Sequence, residues 1–128
     1  AADYSPALEP HIEGLVKEHE HYYHGAVDPL GQPWKPLAPI TVARKGHATI
    51  LSDTTAMGRS LIGGTGDSVR AVSHRGLVFG TSDEKALFHQ LGGTRLPQRQ
   101  HVGITEDYLE KIVDSVADRT VEVLKVKV

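Results

Sequence analysis

Chemistry in this chain has to be sought first among its histidines, because there are eight of them and no cysteine. Thiolate metal sites, thiol nucleophiles and disulfide scaffolds are thereby excluded. The densest group is His19-Glu20-His21-Tyr22-Tyr23-His24. Two histidines that hold a metal from one helical face stand four residues apart. Four residues after His19 comes Tyr23, with His24 one place beyond. His21 and His24, three apart, share a face loosely, and no third ligand is indicated. The segment reads better as a helix end, where the dipole favours cationic imidazole. Gly63-Gly64-Thr65-Gly66-Asp67 has the glycines of a phosphate loop. It lacks the Lys-Ser/Thr pair and the helix start that such a loop requires. Ser52, Ser60, Ser68 and Ser73 share the chain with His47, His74, Asp53 and Asp67, yet none lies in a Gly-x-Ser-x-Gly elbow. No pair of carboxylates stands out for acid–base work. Neither an enzyme nor a cofactor is expected.

Two basic stretches remain. Arg44-Lys45 precedes Gly46-His47, and Arg95 and Arg99 flank Pro97, with His101 beyond. In isolation such stretches are solvated loops. The alternative is that they face phosphates around a DNA channel. Charge gives that alternative no help, since 14 Lys and Arg stand against 16 Asp and Glu, a net of −2. A dedicated nucleic-acid binder is usually clearly basic.

These residues need elements to position them. At 128 residues the length suits one domain, taken here as 1–128. Aromatic residues are only 5%, and Gly and Pro number 13 and 7, so the core is modest and much of the chain is loop. No apolar run reaches the length of a membrane span, and no membrane partner is expected. Residues 1–10 lack a basic start followed by an apolar stretch, so no secretory signal is expected. Residues 6–24 predict a helix, capped by Ser5 and ended by Gly25, with Leu8, Ile12, Leu15, Val16, His19 and Tyr22/Tyr23 on one stripe. Residues 25–39 form a linker in which Pro29, Pro33, Pro36 and Pro39 bar regular structure and Trp34 sits centrally. A helical turn is expected over 40–44, and another from Asp53 through Met57 to Leu61. Residues 68–73 and 77–81 read as a hairpin around His74-Arg75-Gly76, with Arg70 and Val72 on one face of the first strand. Asp83 or Ser82 caps a helix over 84–91, stopped by Gly92-Gly93. Thr105 caps a last helix from Glu106 to about Arg119, with Tyr108, Leu109, Ile112, Val113 and Val116 buried. The Val-rich end, Thr120–Val128, alternates well enough to predict a strand, although a helical stripe through Val116, Thr120, Val123, Leu124 and Lys127 fits nearly as well. The expected class is α+β: a small antiparallel sheet packed against an N-terminal and a C-terminal helix, with long Pro/Gly-rich loops.

Residues 31–113 also carry an ordered set of segments. Gly31-Gln32-Pro33-Trp34-Lys35-Pro36-Leu37-Ala38-Pro39 is followed by Thr41, Arg44-Lys45-Gly46 and Ile50-Leu51-x-Asp53-Thr54. Val78-Phe79-Gly80-Thr81 comes next, then Ala86-Leu87-Phe88-His89-Gln90-Leu91-Gly92-Gly93. The set closes with Leu96-Pro97-x-Arg99 and Gly103-Ile104-Thr105-x-Asp107. Together these resemble the phage virion morphogenesis family, the tail-completion proteins of tailed bacteriophages and Mu-like prophages. The chain departs from that pattern at Thr55-Ala56-Met57, at Lys85, and at Gln100-His101, which replace a Pro-Phe pair. The N-terminal helix and the 120–128 extension are not carried by the resemblance.

The resemblance implies a structural protein of the virion neck or tail, assembled in the host cytoplasm. It implies a homo-oligomeric ring, a hexamer by family logic, at the head–tail junction, in contact with the tail tube or tail terminator and with connector proteins. A subunit with a thin core can finish its burial against neighbours. Trp34, Pro36 and Leu37 in the linker, and Val121, Val123, Val126 and Val128 in the tail, are the expected interface residues, the latter by adding a strand to a neighbouring sheet. His89, Gln90, Gly92, Gly93, Pro97 and Arg99 read as a fold-stabilising motif: His89 is placed to bond loop carbonyls, the glycines to let the chain reverse, and Arg99 to tie down the returning loop. Arg44, Lys45, Arg95 and Arg99 are the residues that a DNA-lining role would use.

Overall fold

The computed structural model describes residues 2–45, 58–93 and 97–127. The chain begins with two helices, α1 (Ser5–Leu8) and α2 (Pro10–Gly25), where a single helix over 6–24 is expected. Pro10 is the reason. It has no N–H to donate into a continuous ladder, so it starts a new helix at the position where that loss is harmless. Ser5 lies inside α1 and does not cap it. The Asp3 carboxylate accepts both the Ser5 N–H at 2.9 Å and the Ser5 hydroxyl at 2.6 Å. At the other end the left-handed cap falls on Ala26, φ 51°, one residue past Gly25.

The linker folds into a tight loop. The Asp28 carboxylate accepts from the N–H groups of Leu30 and Gln32 at 2.9 and 2.8 Å, and Val27 and Pro33 form an isolated antiparallel bridge. Helix α3 (Pro39–Lys45) follows. Of the turn expected from Asp53 to Leu61, residues 53–57 lie outside the described residues, and its end is a π-helical turn, Arg59–Gly63.

Strands β1 (Ser68–Val72) and β2 (Leu77–Thr81) pair antiparallel, with Arg70 opposite Phe79 and Val72 opposite Leu77. The Arg70 guanidinium lies 5.5 Å from the Phe79 ring centre and donates to the carbonyls of Leu61 and Ile62, satisfying the end of the π-turn. Helix α4 (Glu84–Leu91) is capped by Asp83, whose side chain accepts from the Lys85 N–H. Of its apolar residues only Ala86 is buried, while Leu87, Phe88 and Leu91 are exposed.

Helix α5 runs from Glu106 to Lys127, through the segment where a strand is expected. Two contacts with the N-terminus hold it there. Arg119 Nε donates to the Asp3 carbonyl at 2.9 Å, and the hydroxyls of Tyr4 and Thr120 lie 3.0 Å apart. Valine's helix deficit is at most ~0.7 kcal/mol per residue, and such docking outweighs it. The adding of a strand by Val121, Val123, Val126 and Val128 is therefore withdrawn; Val128 itself lies outside the described residues. The N-terminal half of α5 presses Tyr108 against α2 so closely that a Cβ on Gly14 would run into the Tyr108 hydroxyl. Leu109 and Val113, expected to be buried with Tyr108, are exposed. The class is α+β as expected, with the core along the Leu15, His19 and Tyr22 face of α2, joined by Leu8, Trp34, Leu61, Ala86, His101 and Tyr108.

Candidate functional site

The sequence motif from His89 to Arg99 and the linker around Trp34 meet in one place, where the irregular segment 97–103 crosses α2 and α4. Gly92 makes the crossing possible. It sits at φ +71°, and a Cβ there would lie 2.8 Å from the Gln98 nitrogen and 2.9 Å from its Cα. No L side chain fits that combination of conformation and contact.

From this turn the chain returns beside α4 and is pegged residue by residue. The Arg99 N–H donates to the His89 carbonyl at 2.7 Å. Gln90 does most of the holding. Its side-chain oxygen accepts from the N–H groups of His101 and Val102 at 3.0 and 3.2 Å, and its amide nitrogen donates to the Val102 carbonyl at 2.9 Å. One side chain thus stands in for the edge of a strand. The His89 ring lies edge-on to the His101 ring at 6.4 Å.

Arg99 is 5% exposed. Its guanidinium donates to the carbonyls of Lys35 and Pro36 at 2.8 and 3.3 Å, so it ties the linker to the returning loop. It is buried in its own chain, which removes it from the residues that a DNA-lining role would use. The side chains of Arg44 and Lys45, and Arg95 as a whole, lie outside the described residues.

Trp34 is 4% exposed, covered by its own chain and not by a neighbour. Its indole Nε1 donates to the Gln100 carbonyl at 2.8 Å, and its ring meets Tyr23 edge-on at 5.5 Å. Pro36 is exposed and Leu37 half-buried.

The centre of the site is His101, at 0% exposure. Its Nε2 lies 3.0 Å from the Ala86 carbonyl, which can only accept, so Nε2 carries the proton. Its Nδ1 then accepts from the Tyr23 hydroxyl at 2.9 Å. The ring is thus held neutral in one tautomer. Burial pushes its pKa down from 6.5 to about 4, against a smaller upward pull from the Ala86 carbonyl. His19 follows the same logic. Its Nδ1 donates to the Leu15 carbonyl at 2.7 Å and its Nε2 accepts from the Gly103 N–H at 3.3 Å. Burial lowers its pKa as well. His19 also lines, with Phe79 and Ile112, an apolar cleft of about 370 Å³.

Neither imidazole offers a nitrogen to a metal or a substrate, because both nitrogens of each are used within the chain. No cluster of three or more potential metal ligands occurs among the described residues. The arrangement is a lock that fixes the linker, the 97–103 loop, α2 and α4 to one another.

His101 is the member that sequence reasoning missed, and with it the bond from Tyr23, which was read only as part of the apolar stripe. His101 reads as a basic loop residue, yet it stands where the family pattern has an aromatic ring, and that was the available signal for burial.

A family model described as the phage virion morphogenesis family matches residues 3–120. The match reaches beyond 31–113 to take in α1, α2 and most of α5. No curated protein and no solved structure matches the chain at a significant level.

Proposed function

The chain belongs to the phage virion morphogenesis family, and from that premise we propose that it completes the tail as a ring at the head–tail junction. The coarser role, a structural one in building the phage virion, follows from the family itself. The ring, its six-fold symmetry, its position in the neck and its contacts with tail-tube, terminator and connector proteins belong to the proposal.

One observation supports it best. The side chains of Trp34, Gln90, Arg99 and His101 are hydrogen-bonded inside the chain, while Leu87, Phe88 and Leu91 on α4 and Leu30 in the linker face outward. A subunit with a closed interior and apolar exterior patches is built to meet other proteins. The interface candidates accordingly move from Trp34 to these exposed residues. Deletion of the gene from the phage tests the role. Filled heads and unjoined tails should accumulate, and added protein should restore joining. Normal virions without the protein, or a tagged copy imaged in the capsid shell and not the neck, would refute it.

A further inference from the structure

Helix α5 buries one side and leaves another apolar side open. Tyr108, Ile112, Val116, Thr120 and Val123 face inward or are half-buried. At about 100° per residue, Leu109, Val113, Ala117, Val121 and Leu124 fall on a neighbouring arc. Leu109 is 47% exposed, Val113 56%, Val121 50% and Leu124 57%. This stripe runs along a helix of 22 residues, ~33 Å in length.

The order of residues in the stripe reads nearly the same in both directions. Ala117 is the midpoint, Val113 and Val121 stand four residues to either side, and Leu109 and Leu124 close the ends. The charges reverse across the same midpoint. Glu106, Asp107, Glu110 and Asp114 outnumber Lys111 before it, and Arg119, Lys125 and Lys127 outnumber Asp118 and Glu122 after it. We propose that α5 pairs antiparallel with α5 of a second copy of this chain, across a two-fold axis at Ala117.

In that arrangement Val113 meets Val121 of the other copy, Leu109 meets Leu124, and Glu110 lies beside Lys125. Each contact occurs twice, as an isologous interface requires. The smallest residue sits where the two helices cross, which lets their axes approach to roughly 8 Å. The inference stands whether or not the protein forms the neck ring, because a two-fold contact closes on itself and is distinct from the head-to-tail contact of a ring.

Sedimentation equilibrium of the purified chain should show a monomer–dimer equilibrium. Ala117→Glu should weaken it about tenfold or more, with the circular dichroism spectrum unchanged. Glu110→Lys and Lys125→Glu should each weaken it several-fold, and the two together should restore it, since in the reversed register each copy's residue 110 faces the other's residue 125. The absence of cysteine allows a second reading of the same geometry. Ala117→Cys should oxidise readily to a disulfide dimer, because two-fold symmetry brings the residue to its own copy within the roughly 4.4–6.8 Å of a disulfide. Glu122→Cys, on the opposite arc, should not. A wild-type chain that stays monomeric at all concentrations would overturn the proposal. So would equal cross-linking from both cysteines, or a double charge swap that fails to restore pairing.

Discussion

Gln90 gives the sharpest test of the lock. Replacing it by Ala removes three hydrogen bonds, from His101 N–H, from Val102 N–H and to the Val102 carbonyl, at 3.0, 3.2 and 2.9 Å. Each such bond contributes about 0.5–1.5 kcal/mol net, and a buried backbone group left without a partner costs about 1–3 kcal/mol. Val102 is half-buried, so water can recover part of its loss, whereas His101 is fully enclosed. The expected destabilisation is about 3 kcal/mol. For a chain of this length that lowers Tm by roughly 10 °C. Urea and thermal unfolding measure it directly. Gln90→Glu should fall between, because it keeps the acceptor for both N–H groups and loses the donor to Val102. Gln98→Ala is the control: its side chain is exposed and makes one bond, to the Gln90 carbonyl at 3.1 Å. Amide exchange adds a local readout, with protection at His101 and Val102 lost in Gln90→Ala first. If Gln90→Ala and Gln98→Ala destabilise equally, the peg carries no special weight and the reasoning fails.

Acid should loosen the same region through His101. Its pKa lies near 4 in the folded chain against 6.5 when free. The unfolded chain therefore binds more protons between those values, so the stability is fully present above about pH 6.5 and is lost as pH falls towards 4. At ~1.4 kcal/mol per pKa unit the loss is about 3 kcal/mol, and His101→Phe should flatten that part of the pH profile; an unchanged slope in His101→Phe would count against the buried neutral ring. Trp34→Ala should destabilise the isolated chain by about 3–5 kcal/mol, visible in urea unfolding, because the indole is buried within its own chain. A loss confined to assembly would instead return Trp34 to an interface. Gly92→Ala forces a left-handed conformation and a clash with the Gln98 backbone. It should cost at least about 1–2 kcal/mol, and a neutral effect on Tm would mean that the turn is not as tight as described.

Much of the fold was legible because its signals are local. The Asp83 and Thr105 caps, the hairpin and the stop at Gly92 each follow from a few neighbouring residues. What was not legible depends on distant partners. The valines of 120–128 favour a strand on their own, and it takes Asp3 and Tyr4, more than a hundred residues away, to hold the helix through Thr120. The break at Pro10 was legible in principle, since proline at a helix start is a local rule, but the continuous apolar stripe masked it. Within the lock, the glycine turn and the tying role of Arg99 can be argued from residue type, whereas the carbonyls it binds, at Lys35 and Pro36, cannot. His101 was hidden by its own polarity: only a buried environment makes an imidazole serve as an aromatic ring.

That substitution explains where the aliphatic residues went. Ala86 is the only buried residue of α4, and its carbonyl receives the His101 proton. The His101 ring lies under that carbonyl and stacks on Tyr23, which in turn meets Trp34 edge-on. A larger residue at 86 would displace the His101 ring, so the inward face of α4 stays small and its large apolar residues point out. The thin core is therefore not an unfinished one. Rings with hydrogen-bonding edges close the interior, and aliphatic side chains on α4 and α5 are left for the surface. In a monomer destined to remain alone, exposed Leu87, Phe88, Leu91, Val113 and Leu124 would be a solubility liability with no return. In the assembly proposed for this chain, they are the side chains that would meet neighbouring proteins.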